Sequence, residues 1–317
     1  MTIRLSLSVA AALLAFATPQ AGNAETLKIA SPQRGSWEGA IPELGKQQGI
    51  FQKHGLDLEI LYTSGGGETL QIVIGGAVDV GLSAGTSGVF GAYAKGAPVR
   101  IIGASSTGSA ELFWYVAAKS PIKTIREAND ATVAYSTTGA STHIAVMRFI
   151  REYNLKAKPV STGNPTSTFT QVMSGQVDIG WAVAPFQLDA LNQGQVRQVA
   201  SASDIAAIRQ QTIRVQITNA QTLADKKDAL TRYMRAYRET IDWMYANPEA
   251  IPRYMAFSTF SEGAVRRMMK DFIPKESLQT REIRGIKEGM DDAIQFKFLT
   301  APLTEQQIKE LIQIPPS

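Results

Sequence analysis

The hydrophobic and polar positions of this chain repeat a phrase. The stretch Gln71-Ile72-Val73-Ile74-Gly75-Gly76-Ala77-Val78-Asp79-Val80-Gly81 returns as Gln171-Val172-Met173-Ser174-Gly175-Gln176-Val177-Asp178-Ile179-Gly180. In both copies an amphipathic helix closes on a Gly, turns through an Asp and enters a short buried strand. The flanks match too: Thr26-Leu27-Lys28-Ile29-Ala30 and Thr132-Val133-Ala134-Tyr135-Ser136 read as strands that open into polar, small-residue loops. Residues 56–61 and 157–161 supply the next strand of each half, and helices are expected to begin near Glu68 and Ser167. Strands alternating with helices predict an α/β fold whose sheets are mainly parallel and covered by helices on both faces.

Two such units predict two lobes rather than one continuous sheet. Residues 25–108 and 214–317 are assigned to the first lobe and the inserted residues 109–213 to the second. The extended apolar segments 111–117 and 212–218 are suited to carrying the chain across and back. In the last third Leu230, Met234, Tyr237, Ile241 and Met244 recur at helical spacing, and Thr304 with Gln307 forms a capping-box pattern. These helices are expected to pack on the first lobe and carry no chemistry.

The N-terminus changes the picture of compartment. Arg4 precedes an apolar run over residues 5–17, followed by Pro19, Gly22 and Ala24, the layout of a cleaved export signal over residues 1–24. That run is shorter than the roughly 20 residues a membrane span needs. Zero cysteines exclude lipid attachment at Cys, disulfides, thiolate metal sites and Cys nucleophiles, and His54 and His143 are too few for a His-based metal centre. The formal net charge of +4 loses only Arg4 with the signal and is not gathered into basic blocks, so nucleic acid is not an expected partner. Neither a metal nor a cofactor is expected. The mature chain is expected to be a periplasmic monomer without a lipid anchor.

In open α/β sheets ligands gather where helix N-termini meet the carboxyl ends of strands. Four loops qualify: residues 31–37, 83–87, 137–143 and 181–186. Thr137, Thr138, Gly139, Ala140 and Ser141 resemble a cradle for an anion or carbonyl, although Ser and Thr also serve as plain helix caps. Ser83, Ala84, Gly85 and Thr86 have the same character. Trp37, Trp181 and Phe186 are candidate apolar walls or ordinary core. Pro185 reads as a helix-start residue and a candidate contact. Arg34 is the only Lys or Arg in the four loops. Arg214 interrupts an apolar segment and reaches either the cleft or an exposed strand face, while Glu111 is expected at a surface edge. Gly65-Gly66-Gly67 lacks the Gly-Lys-Ser/Thr of a phosphate loop and reads as a flexible loop. His143 is expected on a helix surface.

Further carriers are the segment Gly49-Ile50-Phe51-Gln52-Lys53-His54-Gly55-Leu56-Asp57-Leu58, the phrase Lys95-Gly96-Ala97-Pro98-Val99 and Ser120-Pro121-Ile122-Lys123-Thr124-Ile125. With these the mature chain resembles the nitrate, sulfonate and taurine type of periplasmic solute-binding protein of ABC importers, a group overlapping the thiamine-pyrimidine-synthesis-like proteins. The resemblance implies a two-lobed, type II periplasmic-binding architecture that closes on a solute and delivers it to a membrane permease. Loops differ sharply within such families, so the ligand does not transfer with the fold. A small organic anion is expected, with an aromatic or pyrimidine-type solute as the alternative. A periplasmic enzyme using Glu111 or Glu38 as acid or base is the rival from another class, although the Cys-rich motif of enzyme relatives is missing.

Overall fold

The computed structural model describes residues 24–316. All of the expected export signal except Ala24 lies outside that range. In chain order the strands are β1 (Glu25–Pro32), β2 (Leu56–Thr63), β3 (Val80–Gly85), β4 (Val99–Thr107) and β5 (Leu112–Ala117). They continue as β6 (Thr132–Tyr135), β7 (Lys158–Ser161), β8 (Gly180–Val183), β9 (Val196–Ser201) and β10 (Thr212–Asn219).

One sheet has the order β2-β1-β3-β10-β4. The other strands form β8-β5-β9 and β6-β7, and a parallel bridge between Val133 and Ile179 links the two pieces. Joined there, the second lobe reads β7-β6-β8-β5-β9 and matches the first position for position. The repeated Asp explains why: Asp79 Oδ2 accepts the amide of Lys28 at 2.8 Å, and Asp178 Oδ2 accepts the amide of Thr132 at 2.8 Å. Each carboxylate ties the third strand of its lobe to the first. A second echo braces the loops after β2 and β7, where Thr63 and Thr69 share a hydrogen bond of 2.7 Å and Thr162 and Thr168 one of 2.6 Å.

The sheets are mixed rather than mainly parallel. β1 runs parallel to β2 and β3, but β10 is antiparallel to both β3 and β4, and β5 is antiparallel to β8 and β9. The two expected crossing segments are these reversed strands, each buried inside one sheet. The chain passes between the lobes at adjacent points, where Gly108 N donates to Gln211 O at 2.9 Å and the Thr107 and Thr212 hydroxyls meet at 2.9 Å.

The C-terminal helices pack on the first lobe and, beyond that expectation, also contact the second. Met234, Tyr237 and Ile241 do bury in the core, and Thr304 and Gln307 form the capping box. Yet Asp292 pairs with Arg148 of the second lobe at 2.5 Å, Ser261 donates to Asp189 at 2.5 Å, and Phe260 packs edge-on against Phe186 at 5.0 Å. Among the described residues no helix is long and apolar enough to cross a membrane.

Candidate functional site

The lobes meet along a seam of glycines. The helix Gly66–Ile74 and the helix Thr86–Ala94 of the first lobe start against the loop after β6. A Cβ at Gly67 would lie 2.3 Å from Thr138 O, one at Gly85 2.2 Å from Gly139 O, and one at Gly88 2.6 Å from the same oxygen. No side chain fits such an approach, so Gly65-Gly66-Gly67 is a close-packed contact and not a flexible loop. Thr137 Oγ1 accepts the amide of Gly67 at 3.0 Å across the seam. Thr137, Thr138 and Gly139 therefore hold the lobes together; Thr138 is exposed, and none of the three lines the inner cavity.

That cavity lies behind the seam. Its walls include Gln33, Gly66, Ser83 and Arg214 of the first lobe and Ser136, Ala140, Ser141, Thr142 and Trp181 of the second. About 10 Å³ of it is open to the centre of a water-sized sphere, room for a single small group. The helix Ser141–Glu152 and the first-lobe helix Gly66–Ile74 begin here without a side-chain cap. Their first-turn amides and partial positive ends favour an oxyanion.

Arg214 sits on β10, the strand returning from the second lobe, and is only 7% exposed. Its Nη2 contacts Glu111 and lies 3.2 Å from Glu38 Oε2, and its Nε has no hydrogen-bond partner among the described residues. Ser83, held at a positive φ of 55°, donates to Glu38 Oε1 at 2.5 Å. Burial pushes the Glu111 carboxyl up, opposed by Arg214. Burial alone would pull Arg214 down, and the two carboxylates more than offset it. Glu111 thus belongs to a buried cluster, 5% exposed, and not to a surface edge. The reason is its guanidinium partner, without which a carboxylate there would be strongly disfavoured.

Other expected contacts fall elsewhere. Trp37 is fully buried in the first-lobe core, edge-on to Tyr254 at 4.8 Å with Nε1 donating to the Tyr245 hydroxyl at 3.2 Å, so it is not a cleft wall. Ala84 pairs with Val215 inside the sheet, Thr86 Oγ1 donates to Thr212 O at 2.7 Å, and Gly85 belongs to the seam. Pro185 occupies a turn, and the helix it was expected to start begins only at Leu188. His143 is half-buried, stacked on Tyr135 at 4.2 Å, and burial lowers its pKa to about 4. Ser83, Ala140, Ser141, Trp181 and Arg214 are the expected residues brought together around the cavity.

Arg34 lies outside it, in a groove of about 570 Å³ lined by residues 33–34 and 62–64 of the first lobe and by residues 164–167 and Phe186 of the second. Sequence reading missed Gln33, Ser136 and Thr142 as lining residues. Thr142 and Gln33 stood inside nominated loops, whereas nothing marks Ser136 apart from its place at the end of a strand.

Comparison with known proteins agrees with the architecture. The sequence matches the family described as "NMT1/THI5 like" over residues 43–251. The alkanesulfonate-binding protein SsuA from Xanthomonas axonopodis pv. citri bound to MOPS is similar at 16% identity over 92% of this chain and 99% of that one, with a TM-score of 0.78. The periplasmic aliphatic sulphonate binding protein SsuA from Escherichia coli is similar at 18% identity over 92% and 93%, with a TM-score of 0.70. The desulfurization enzyme DSZB is similar at 14% identity over 89% and 95%, with a TM-score of 0.62. No curated protein matches the sequence.

Proposed function

The chain belongs to the NMT1/THI5-like family, within the periplasmic-binding superfamily, and we propose that it is the solute receptor of an ABC importer, closing over a small organic oxyanion and presenting it to a membrane permease. One observation carries the oxyanion: a buried guanidinium with an unpartnered Nε lines a cavity walled by both lobes. A desolvated donor without an acceptor is unfavourable, and an oxyanion oxygen supplies what it lacks. Sulfonate, nitrate and carboxylate groups share that chemistry.

A ligand touching both walls binds the closed form better than the open form and shifts the population toward closure. No covalent step is required, and the protein is proposed to bind rather than catalyse. The likeness to DSZB supports a shared fold only. Calorimetry with methanesulfonate, nitrate and benzoate tests the reading. Arg214→Gln should weaken the best of them at least ~10-fold; binding insensitive to that change refutes it.

A second reading, a neutral heterocycle bearing N–H donors, is favoured by the two carboxylates that share one guanidinium. It replaces the first if pyrimidines bind and no oxyanion does.

A further inference from the structure

The inner cavity holds one small group, yet it opens beside a space of about 570 Å³. Gln33 lines both, at a positive φ of 51°, and its Nε2 donates to Ser64 O at 3.2 Å. The outer groove contains one charged donor without a protein acceptor. Arg34 makes no ion pair or hydrogen bond among the described residues; its guanidinium lies 5.6 Å from the ring centres of both Tyr62 and Phe257. The ring of Tyr62 lines the groove, while its hydroxyl is buried away from it. Phe186 faces the groove from the second lobe.

We propose that the solute is two-ended: its oxyanionic head sits beside Arg214, an apolar or aromatic spacer passes Gln33, and a second anionic group is received by Arg34 in the outer groove. This rests on the oxyanion reading above and narrows it. The groove is built from both lobes, so the second group also bridges them and adds to the preference for the closed form. Aromatic walls hold Arg34 in place by cation–π contact and leave its planar donor edge for a carboxylate or sulfonate. The inner cluster carries two carboxylates for one cation, and a second negative charge is better placed at Arg34 than there.

Calorimetry with benzenesulfonate, 3-sulfobenzoate and 4-sulfobenzoate tests the proposal. The better sulfobenzoate should bind ~30-fold more tightly than benzenesulfonate, within the range of charge-assisted hydrogen bonds. Arg34→Ala should reduce that ratio below ~3-fold. A wild-type ratio near one with benzenesulfonate bound overturns the second subsite and leaves the oxyanion reading standing. A ratio that survives Arg34→Ala overturns it as well. Binding of none of the three, nor of methanesulfonate, nitrate or benzoate, overturns both.

Discussion

Gly88→Ala separates folding from closure. Gly88 is the third residue of the helix Thr86–Ala94 and lies outside the positive-φ region, so alanine suits its backbone. In a helix interior alanine is favoured over glycine by about 0.5–1 kcal/mol. The three atoms nearest to the new Cβ all belong to Gly139 of the other lobe, with the carbonyl oxygen at 2.6 Å. Restoring ordinary contact requires the lobes to part by about 0.8 Å at the seam, because van der Waals contact begins near 3.4 Å. Overpacking of this kind costs about 1–3 kcal/mol, all of it charged to the closed form. The unliganded melting temperature should stay level or rise by about 2 °C, while solute affinity falls roughly 5- to 150-fold. Differential scanning calorimetry and isothermal titration on the same preparation measure both quantities. Unchanged affinity would refute the seam as the closing surface, and a large drop in melting temperature would show that Gly88 is needed for folding itself.

Arg214→Met should lower stability in urea by about 3–5 kcal/mol, because Glu38 and Glu111 are then left buried without a cation; changing both to Gln in that background should restore part of it, and no restoration would refute the charge argument. For His143 the folded pKa of about 4 lies below the unfolded value near 6.5. Its stabilising contribution is therefore complete above about pH 6.5 and is lost as pH falls toward 4. The full shift corresponds to roughly 3 kcal/mol and about 2 kcal/mol after solvent screening. His143→Phe, which keeps the stack on Tyr135, should flatten stability across that window, and an unaltered slope would assign it to other groups. Asp292→Asn weakens the buried pair with Arg148 that joins the C-terminal helices to the second lobe. It should weaken solute binding by about 5-fold, with the radius of gyration of the liganded protein rising in small-angle scattering; affinity equal to wild type would show that the pair serves packing alone.

The repeat made the two lobes legible, because Asp79 and Asp178 perform the same task in each lobe, tying the strand that follows them to the lobe's first strand. Direction of the sheet strands was not legible in the same way. β5 and β10 pair with partners far away in the chain, and wholly buried strands read alike in parallel and antiparallel sheets. Trp37 shows a second limit, since an aromatic in a loop has the same sequence signature whether it lines a cleft or fills a core. The triple glycine shows a third. Glycine permits loose turns and also permits backbones to touch, and only the facing carbonyl of Thr138 distinguishes the two uses.

The buried cluster draws these elements into one thermodynamic unit. Glu111 immediately precedes β5, on the chain's way into the second lobe, and Arg214 lies on β10, on its way out; Glu38 and Ser83 belong to the first lobe. The groups that would meet the solute's charge are therefore fastened at the two crossings that join the lobes. With both carboxylates ionised the cluster is negative by one charge, so an incoming anion favours a proton on Glu111, the group that burial already pushes in that direction. Solute charge, lobe orientation and the ionisation of Glu111 are then linked equilibria, and whatever shifts one of them must by reciprocity shift the other two.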